Sequence, residues 1–587
     1  MIKRKLWKST CAFTLSAAMI FAPGTASAEI CPEDTAECTI AEVSAEMENT
    51  SAEAEKTSSA DTAAETVIEL SDTGVNVDGA AISTDAASAV YAGAEIVYYK
   101  EGQDALYGAG DEDDGHSAEE AAAHTVVTIT QPGTYRVSGS ISKGQIAVDL
   151  GDEAEDDANA VVNLILDNAD ITCTVASGIV VYNAYECGSD DTETASKDVD
   201  TSAAGFNLIL ADDSVNTVNG SHVAKIYKEG TTQEQVDADE AKKQWKFDAA
   251  IDSLVSFNID GEEADNGKLT VNADNEGISS ALHMTINGGE VTINSADDAI
   301  NASEDYVSVL TINDGIITCD SGLGAEGAGI DSNGWIVVNG GYTIACANGS
   351  SQDSGVDADN GIYLNGGTVL ASGNMYDEMS DESAQPFMVL SFAEKIEEGQ
   401  LLMLKNSNDE PVAAFSAVNA FTTTVYGSEL VTEGDYTLYK VSSVTGDLNG
   451  SIYTNITDYQ DAVQLQYGSN SMMGMGGFGG GRQMQGQMGS GQMGNGDMPE
   501  NFDPSQMGNG EAPEMPEGME NGQMPDGMEQ GQMPGGRGGQ IQQAQSGGTI
   551  FSVTGINNSF SMISEVTENT AADETAETEA AETPNMA

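Results

Sequence analysis

Carboxylates are the residues of this chain with chemistry to offer. Asp252, Asp331 and Asp357 each directly follow an apolar residue, and Asp297 and Asp298 stand together in SADDAI. Asp274 and Glu276 lie in NADNEGI, Asp320 in CDSG, and Asp359 two residues beyond Asp357 in VDAD. Stacked like charges repel one another unless a cation enters between them. Asp side chains and loop carbonyls are hard oxygen donors, and calcium takes about six to eight such ligands. Asp also favours tight turns and keeps a surface soluble. That explains single residues better than a column of them. The nine acids named are therefore the predicted Ca2+ ligands.

The same residues are a poor catalytic set. Hydrolases of polysaccharides use two carboxylates as acid and base, but Asp297 and Asp298 are adjacent and on a strand would point to opposite faces. A lyase needs an Arg or Lys base, and residues 249–372 hold no Arg and one Lys, Lys268. No catalytic residue is assigned. Sugar binding needs aromatic faces with polar edges. Trp335 and Tyr363 are predicted to face outward on neighbouring units, with Tyr342 and Tyr306 as weaker partners. His283 is expected on the outside.

These side chains need a scaffold that repeats. MTINGG, LTINDG, IVVNGG and IYLNGG place Asn287, Asn313, Asn339 and Asn365 at a constant interval of 26 residues. Apolar residues recur three before the turn (Met284, Leu310, Ile336, Ile362), one before it (Ile286, Ile312, Val338, Leu364) and four after it (Val291, Ile317, Thr343, Val369). A third run carries Ile251, Ile278, Ile330 and Val356 nine before the turn, with Ile300 in the same role four residues earlier. Period-two alternation on both sides of a turn makes strands. A fixed period of this length means stacked units. Three short strands per unit predict an all-β fold: a right-handed parallel β-helix with rungs of about 26 residues.

Around that core the composition changes. Residues 1–28 read as a signal peptide: a basic start, a short apolar run and Ala-Ser-Ala before Glu29. Residues 29–66 are an acidic linker too poor in large apolar side chains to order itself. The β-helix is assigned to 67–384 and a C-terminal β capping module to 385–468. Residues 469–546 are Gly, Met, Gln and Pro of low complexity, a spacer whose thioethers also suit Cu(I). Residues 547–565 are a candidate returning strand, and 566–587 an acidic tail. QEQVDADEAKKQWKFD, 232–247, reads as a helical insertion. Cys31–Cys38 and Cys173–Cys187 are candidate disulfides in an exported chain.

The formal net charge is −76 over 587 residues. Such a chain repels nucleic acid and anionic membrane. No membrane insertion is expected, and the protein is expected to act as a monomer at or outside the cell surface.

At the NGG, SADDAI and GIDS repeats, and in TITQPGTYRVSGSISKGQIAVD (128–149), AAIDSLVSFNIDG (249–261) and VYGSELVTEGDYTLYKV (425–441), the sequence resembles a bacterial secreted carbohydrate-binding domain family with a pectate-lyase-like right-handed parallel β-helix. The resemblance implies calcium at Asp297, Asp298, Asp331 and Asp357, and binding of cellulose or pectic polysaccharide without cleavage. Ser279 and the long CDSGLGAEGAG depart from the pattern. The alternatives are a pectic lyase or hydrolase, and a structural or adhesive surface protein.

Overall fold

The apolar runs around the Asn-Gly turns fold into strands because their alternate side chains enter one common core. A computed structural model describes residues 65–468 and 547–566. The described residues belong to one unit, which begins at Glu65. The leader, nearly all of the linker and acidic tail, the Met-rich segment, Cys31 and Cys38 lie outside the described residues.

The protein is mostly β, with large parallel sheets coiled in a β-helix-like manner. Three strand files run along it. The first is a nine-stranded sheet that includes Ala249–Ser253, Glu276–Ser280, Ile300–Ala302, Ile330–Ser332 and Val356–Ala358. The second contains Phe257–Gly261, His283–Ile286, Val309–Ile312, Trp335–Val338 and Gly361–Leu364, each parallel to the next. The third contains Lys268–Ala273, Glu290–Asn294, Ile316–Asp320, Tyr342–Cys346 and Thr368–Gly373.

Register puts like residues on like. Met284, Leu310, Ile336 and Ile362 are successive partners, and each has no exposed surface. Ile251, Ile278, Ile300, Ile330 and Val356 line up in the first sheet, so the early Ile300 does take its column's place. These side chains share one core. Each contributes about 1.5–3 kcal/mol by leaving water.

The turn residues have their own order. Gly289, Gly315, Gly341 and Gly367 adopt left-handed φ of 83°, 98°, 67° and 70°, a region costly for any residue with a Cβ. The preceding asparagines form a ladder. The Nδ2 of Asn313, Asn339 and Asn365 donates to the Oδ1 of the asparagine before it at 2.8, 2.9 and 3.0 Å. Asn313→Ala breaks two of these bonds in an exposed place. The expected loss is about 1 kcal/mol, read as a melting temperature lowered by roughly 2 °C.

Beyond Gly373 the pairing becomes mostly antiparallel, with Phe387–Ile396 and Asn557–Glu565 paired parallel. Phe421–Ser428 pairs with Thr368–Gly373 on one side and with Phe387–Ile396 on the other. A second core forms there, with Phe415 stacked on Tyr426 at 4.5 Å. Residues 547–566 add Phe551–Val553 and Asn557–Glu565 to this module.

Three expectations are corrected. Residues 232–247 are not one helix: Gln233–Asp237 is a short helix capped by Thr232, and Lys243–Phe247 is a strand paired antiparallel with Val223–Tyr227. KQWKF alternates, and Trp245 and Phe247 pack against Tyr182, which overrides the helical polar run before them. Cys173 and Cys187 are free thiols. Cys173 sits in the cluster around Val180 and Phe247, while Cys187 rides on the loop whose Glu186 accepts from the Ser256 N–H. His283 is buried, not outside. Gly188 of that loop packs on its ring, and its Nδ1 accepts from the Val309 N–H at 3.1 Å.

Candidate functional site

In the first sheet the column Ile251–Val356 points into the core, so the residue after each member points the other way. That second column reads Asp252, Ser279, Asn301, Asp331, Asp357, all successive cross-strand neighbours. Glu276 and Asp298 flank it at the corner where the coil enters the sheet. The Asp298 carbonyl accepts from Gly277 N–H, and its side chain accepts from Ala328 N–H at 2.7 Å.

Several of these acids are held away from water. Asp252 is 6 % exposed and Glu276 7 %. Burial pushes the Asp252 carboxyl up to about 7, with Asp248 adding repulsion. Burial likewise raises Asp331 to about 7, followed by the charges of Asp357 and Asp359. Glu276 stands well above the usual range through burial, then Asp248 and Asp298. Asp298 does so through burial, then Asp331 and Asp297. Asp297 is raised by burial and by Glu326.

The hydrogen bonds leave Glu276 and Asn301 incompletely satisfied. Asp252 Oδ2 accepts from the Asp248 and Ala249 N–H groups at 3.0 and 3.3 Å. Asn301 Nδ2 donates to Glu276 Oε1 at 2.9 Å. Glu276 Oε2 and Asn301 Oδ1 are buried without a partner. A buried oxygen left unpaired is costly, and a proton or a hard cation would relieve it. These oxygens suit calcium by type. Among the described residues no three His, Cys, Asp or Glu side chains converge as a ready-made metal cage. The acids are strung along the sheet instead.

Of the nine predicted ligands, Asp252, Glu276, Asp297, Asp298, Asp331, Asp357 and Asp359 gather on this face. Asp274 and Asp320 do not. Asp274 accepts from Ser221 at 2.6 Å and pairs with His222 at 3.0 Å. Burial works to raise its carboxyl, but His222 and Ser221 hold it below the ordinary value. Asp320 ends the Ile316–Asp320 strand and accepts from Asn419 of the antiparallel module at 2.9 Å.

Asp248, Lys246 and Asn301 are members the sequence did not single out. Asn301 follows Ile300, so placing it in the column needed only the next residue to be read. Lys246 forms an ion pair with Asp248. Burial works against its ammonium, but Asp248, Glu276 and Asp252 outweigh it and keep it protonated above the usual range. Arg136, the sole arginine among the described residues, lies in the second file and is held by Glu65, Asp167 and Glu262.

The aromatic residues divide. Trp335 and Tyr363 are half-buried on adjacent strands of the second file, where Tyr363 neighbours Val337. A loop covers part of this face. Its Thr201 hydroxyl donates to Asn258 at 2.7 Å, and its Lys197 ammonium lies 5.1 Å from the Tyr363 ring centre. Tyr342 belongs to the third file, beside a shallow cleft of about 370 Å³ that Lys268, Glu290 and Asp314 also line. Tyr306 is 54 % exposed on a connection with φ 62°.

A family model described as carbohydrate-binding domain-containing protein matches residues 123–203 and 191–427. A carbohydrate-binding domain-containing protein of Acetivibrio thermocellus is 32% identical over 168 residues, which is 28% of this chain and 44% of that relative. The chain thus spans less than half of that relative's length. A solved structure of a polysaccharide lyase-like protein from C. thermocellum, a gadolinium derivative, is 20% identical and covers 52% of this chain and 94% of that one, with a TM-score of 0.29.

Proposed function

Because this chain belongs to the family of carbohydrate-binding domain-containing proteins, we propose that it is a secreted, non-catalytic protein that binds acidic polysaccharide of the pectic type through calcium. The observation that carries the reading is the orphaned, buried Glu276 Oε2 inside a file of carboxylates with raised pKa. Calcium on the first sheet would neutralise Asp252, Glu276, Asp298 and Asp331. It would also offer open coordination positions to a uronate carboxylate, so that a polyanion can approach a chain of net charge −76. The leader read in residues 1–28 supports the export half of the reading.

The non-catalytic half of the reading rests on the cations. Lys246 is the ammonium beside the file, and it is held protonated by three carboxylates, unfit to take a proton from a sugar. Arg136 is tied down in another file.

The test is retention on immobilised polygalacturonate with calcium and with chelator, followed by assays for unsaturated product and for new reducing ends. The expected outcome is retention that needs calcium, with neither product formed. Retention indifferent to chelator overturns the calcium; unsaturated ends or new reducing ends overturn the absence of catalysis.

A further inference from the structure

Between Gly220 and Ala249 the chain leaves the coil and makes the hairpin Val223–Tyr227 and Lys243–Phe247. A lone two-stranded hairpin is marginal in water, and this one is held by what packs on it. The Tyr227 N–H donates to the Tyr107 carbonyl at 2.8 Å, and the Ala109 N–H to the Lys225 carbonyl at 2.9 Å. The segment around Tyr107 thus lies along the hairpin's open edge. Tyr107, Tyr227 and Trp245 then line one cleft of about 580 Å³, with Leu106, Gln244 and Lys228 at its margin.

The rings are set rather than loose. Tyr107 meets Tyr99 edge-on at 5.1 Å. Trp245 stacks on Phe247 at 5.7 Å and meets Tyr182 edge-on at 5.6 Å. Lys225 lies 5.6 Å from the Tyr227 ring centre. All three lining rings remain half-buried, while Gln244 and Lys228 are exposed. A cluster built only to hold the hairpin would close over these rings. Here they stay open, with hydrogen-bonding side chains at the rim.

We infer that this cleft is a second glycan site, separate from the acidic file, which takes a short run of a neutral polysaccharide by stacking sugar rings on Tyr107, Tyr227 and Trp245. The chemistry selects a neutral ligand. Sugar rings present C–H faces to aromatic rings and hydroxyls to Gln244 and Lys228. Asp104 and Glu229, which also line the cleft, balance Lys228 and the Lys225 ammonium beside Tyr227, so no net positive charge is offered to a uronate. The inference rests on the carbohydrate-binding reading but needs no calcium, and none of the file's carboxylates lines the cleft.

Titration calorimetry of the full chain with cellohexaose, xylohexaose and mannohexaose in chelator tests it. At least one of these neutral oligosaccharides is expected to bind. Trp245→Ala should weaken that binding about tenfold or more, and Gln244→Ala severalfold, while Trp245→Phe keeps most of it. Retention on polygalacturonate with calcium should be unchanged in all three variants. Failure of every neutral oligosaccharide to bind, or equal binding by Trp245→Ala, overturns the site. Because Gln244 is exposed, its variant separates lost contact from a disturbed hairpin. In the native chain, absence of neutral binding with polygalacturonate retention intact overturns this inference alone; absence of both overturns the carbohydrate-binding reading as well.

Discussion

Stripped of divalent cations, the protein is expected to melt at a lower temperature near pH 8 than near pH 6, and calcium should abolish most of that difference. The sign follows from the carboxyls. Asp252 and Asp331 have an ordinary value of 3.8 and stand at about 7 in the folded chain. Between those values the folded state keeps protons that the unfolded state has lost. Stability therefore falls as pH rises through that window, and the full cost is present above about pH 7. Glu276 and Asp298 are displaced the same way. A shift of about three units corresponds to roughly 4 kcal/mol for one isolated group. The file as a whole is thus worth several kcal/mol.

Three histidines share the range and can be separated from the file; burial lowers His124, which costs stability as pH falls below 6.5, against the direction of the file. His283 is pushed down to about 4 by burial, so it costs stability as pH falls from 6.5 toward 4 and acts mostly below the window tested. Burial works to lower His222, but Asp274 and Asp114 raise it to about 9. The stability it contributes is complete below 6.5 and lost as pH rises through 9, in the same direction as the file. Calcium tells them apart, because it relieves the carboxylates and leaves the His222 pairing as it was. At a calcium concentration about 100 times its dissociation constant, stability near pH 8 should rise by about 2.7 kcal/mol. Thermal melts at both pH values, with calcium and with chelator, check this. A flat profile, or one that calcium does not move, counts against the acidic file as a cation site.

The coil was legible because its signal is redundant. One register error would move Met284, Leu310, Ile336 and Ile362 out of the core together, so the spacing of four asparagines was enough to align three files. The acid column was legible for the same reason. What escaped is what the period does not govern. Asp274 and Asp320 carry the right chemistry at corners of the third file, but their partners, His222 and Asn419, come from segments outside the repeat. His283 was placed outside by alternation alone, and the loop that buries it departs from the coil nearly a hundred residues earlier. The Lys243–Phe247 strand was hidden by a polar helical run that ends just before it. Trp245 was passed over because a hairpin excursion has no column to compare it with. Long-range cover over a regular surface leaves no local trace in a sequence.

Replacing Glu276 by Gln is expected to stabilise the cation-free protein at pH 8 and to remove much of its response to calcium. The carboxylate has one oxygen bonded to Asn301 and one with no partner, close to the charges of Asp248 and Asp298. Gln keeps the shape and an oxygen for Asn301. It exchanges the orphan acceptor for an amide donor that faces carboxylate oxygens. The unpaired acceptor and the need to ionise a buried carboxyl vanish together, a change of about 2 kcal/mol or more in favour of the folded state. Glu276→Ala separates charge from packing: it also removes the charge but leaves a gap beside a file that still repels, so it should gain less or lose stability. Denaturant midpoints in chelator and in calcium decide the matter. If Glu276→Gln is less stable than the native chain in chelator, then an unmet demand for a cation is not what this carboxylate represents, and its burial has another cause.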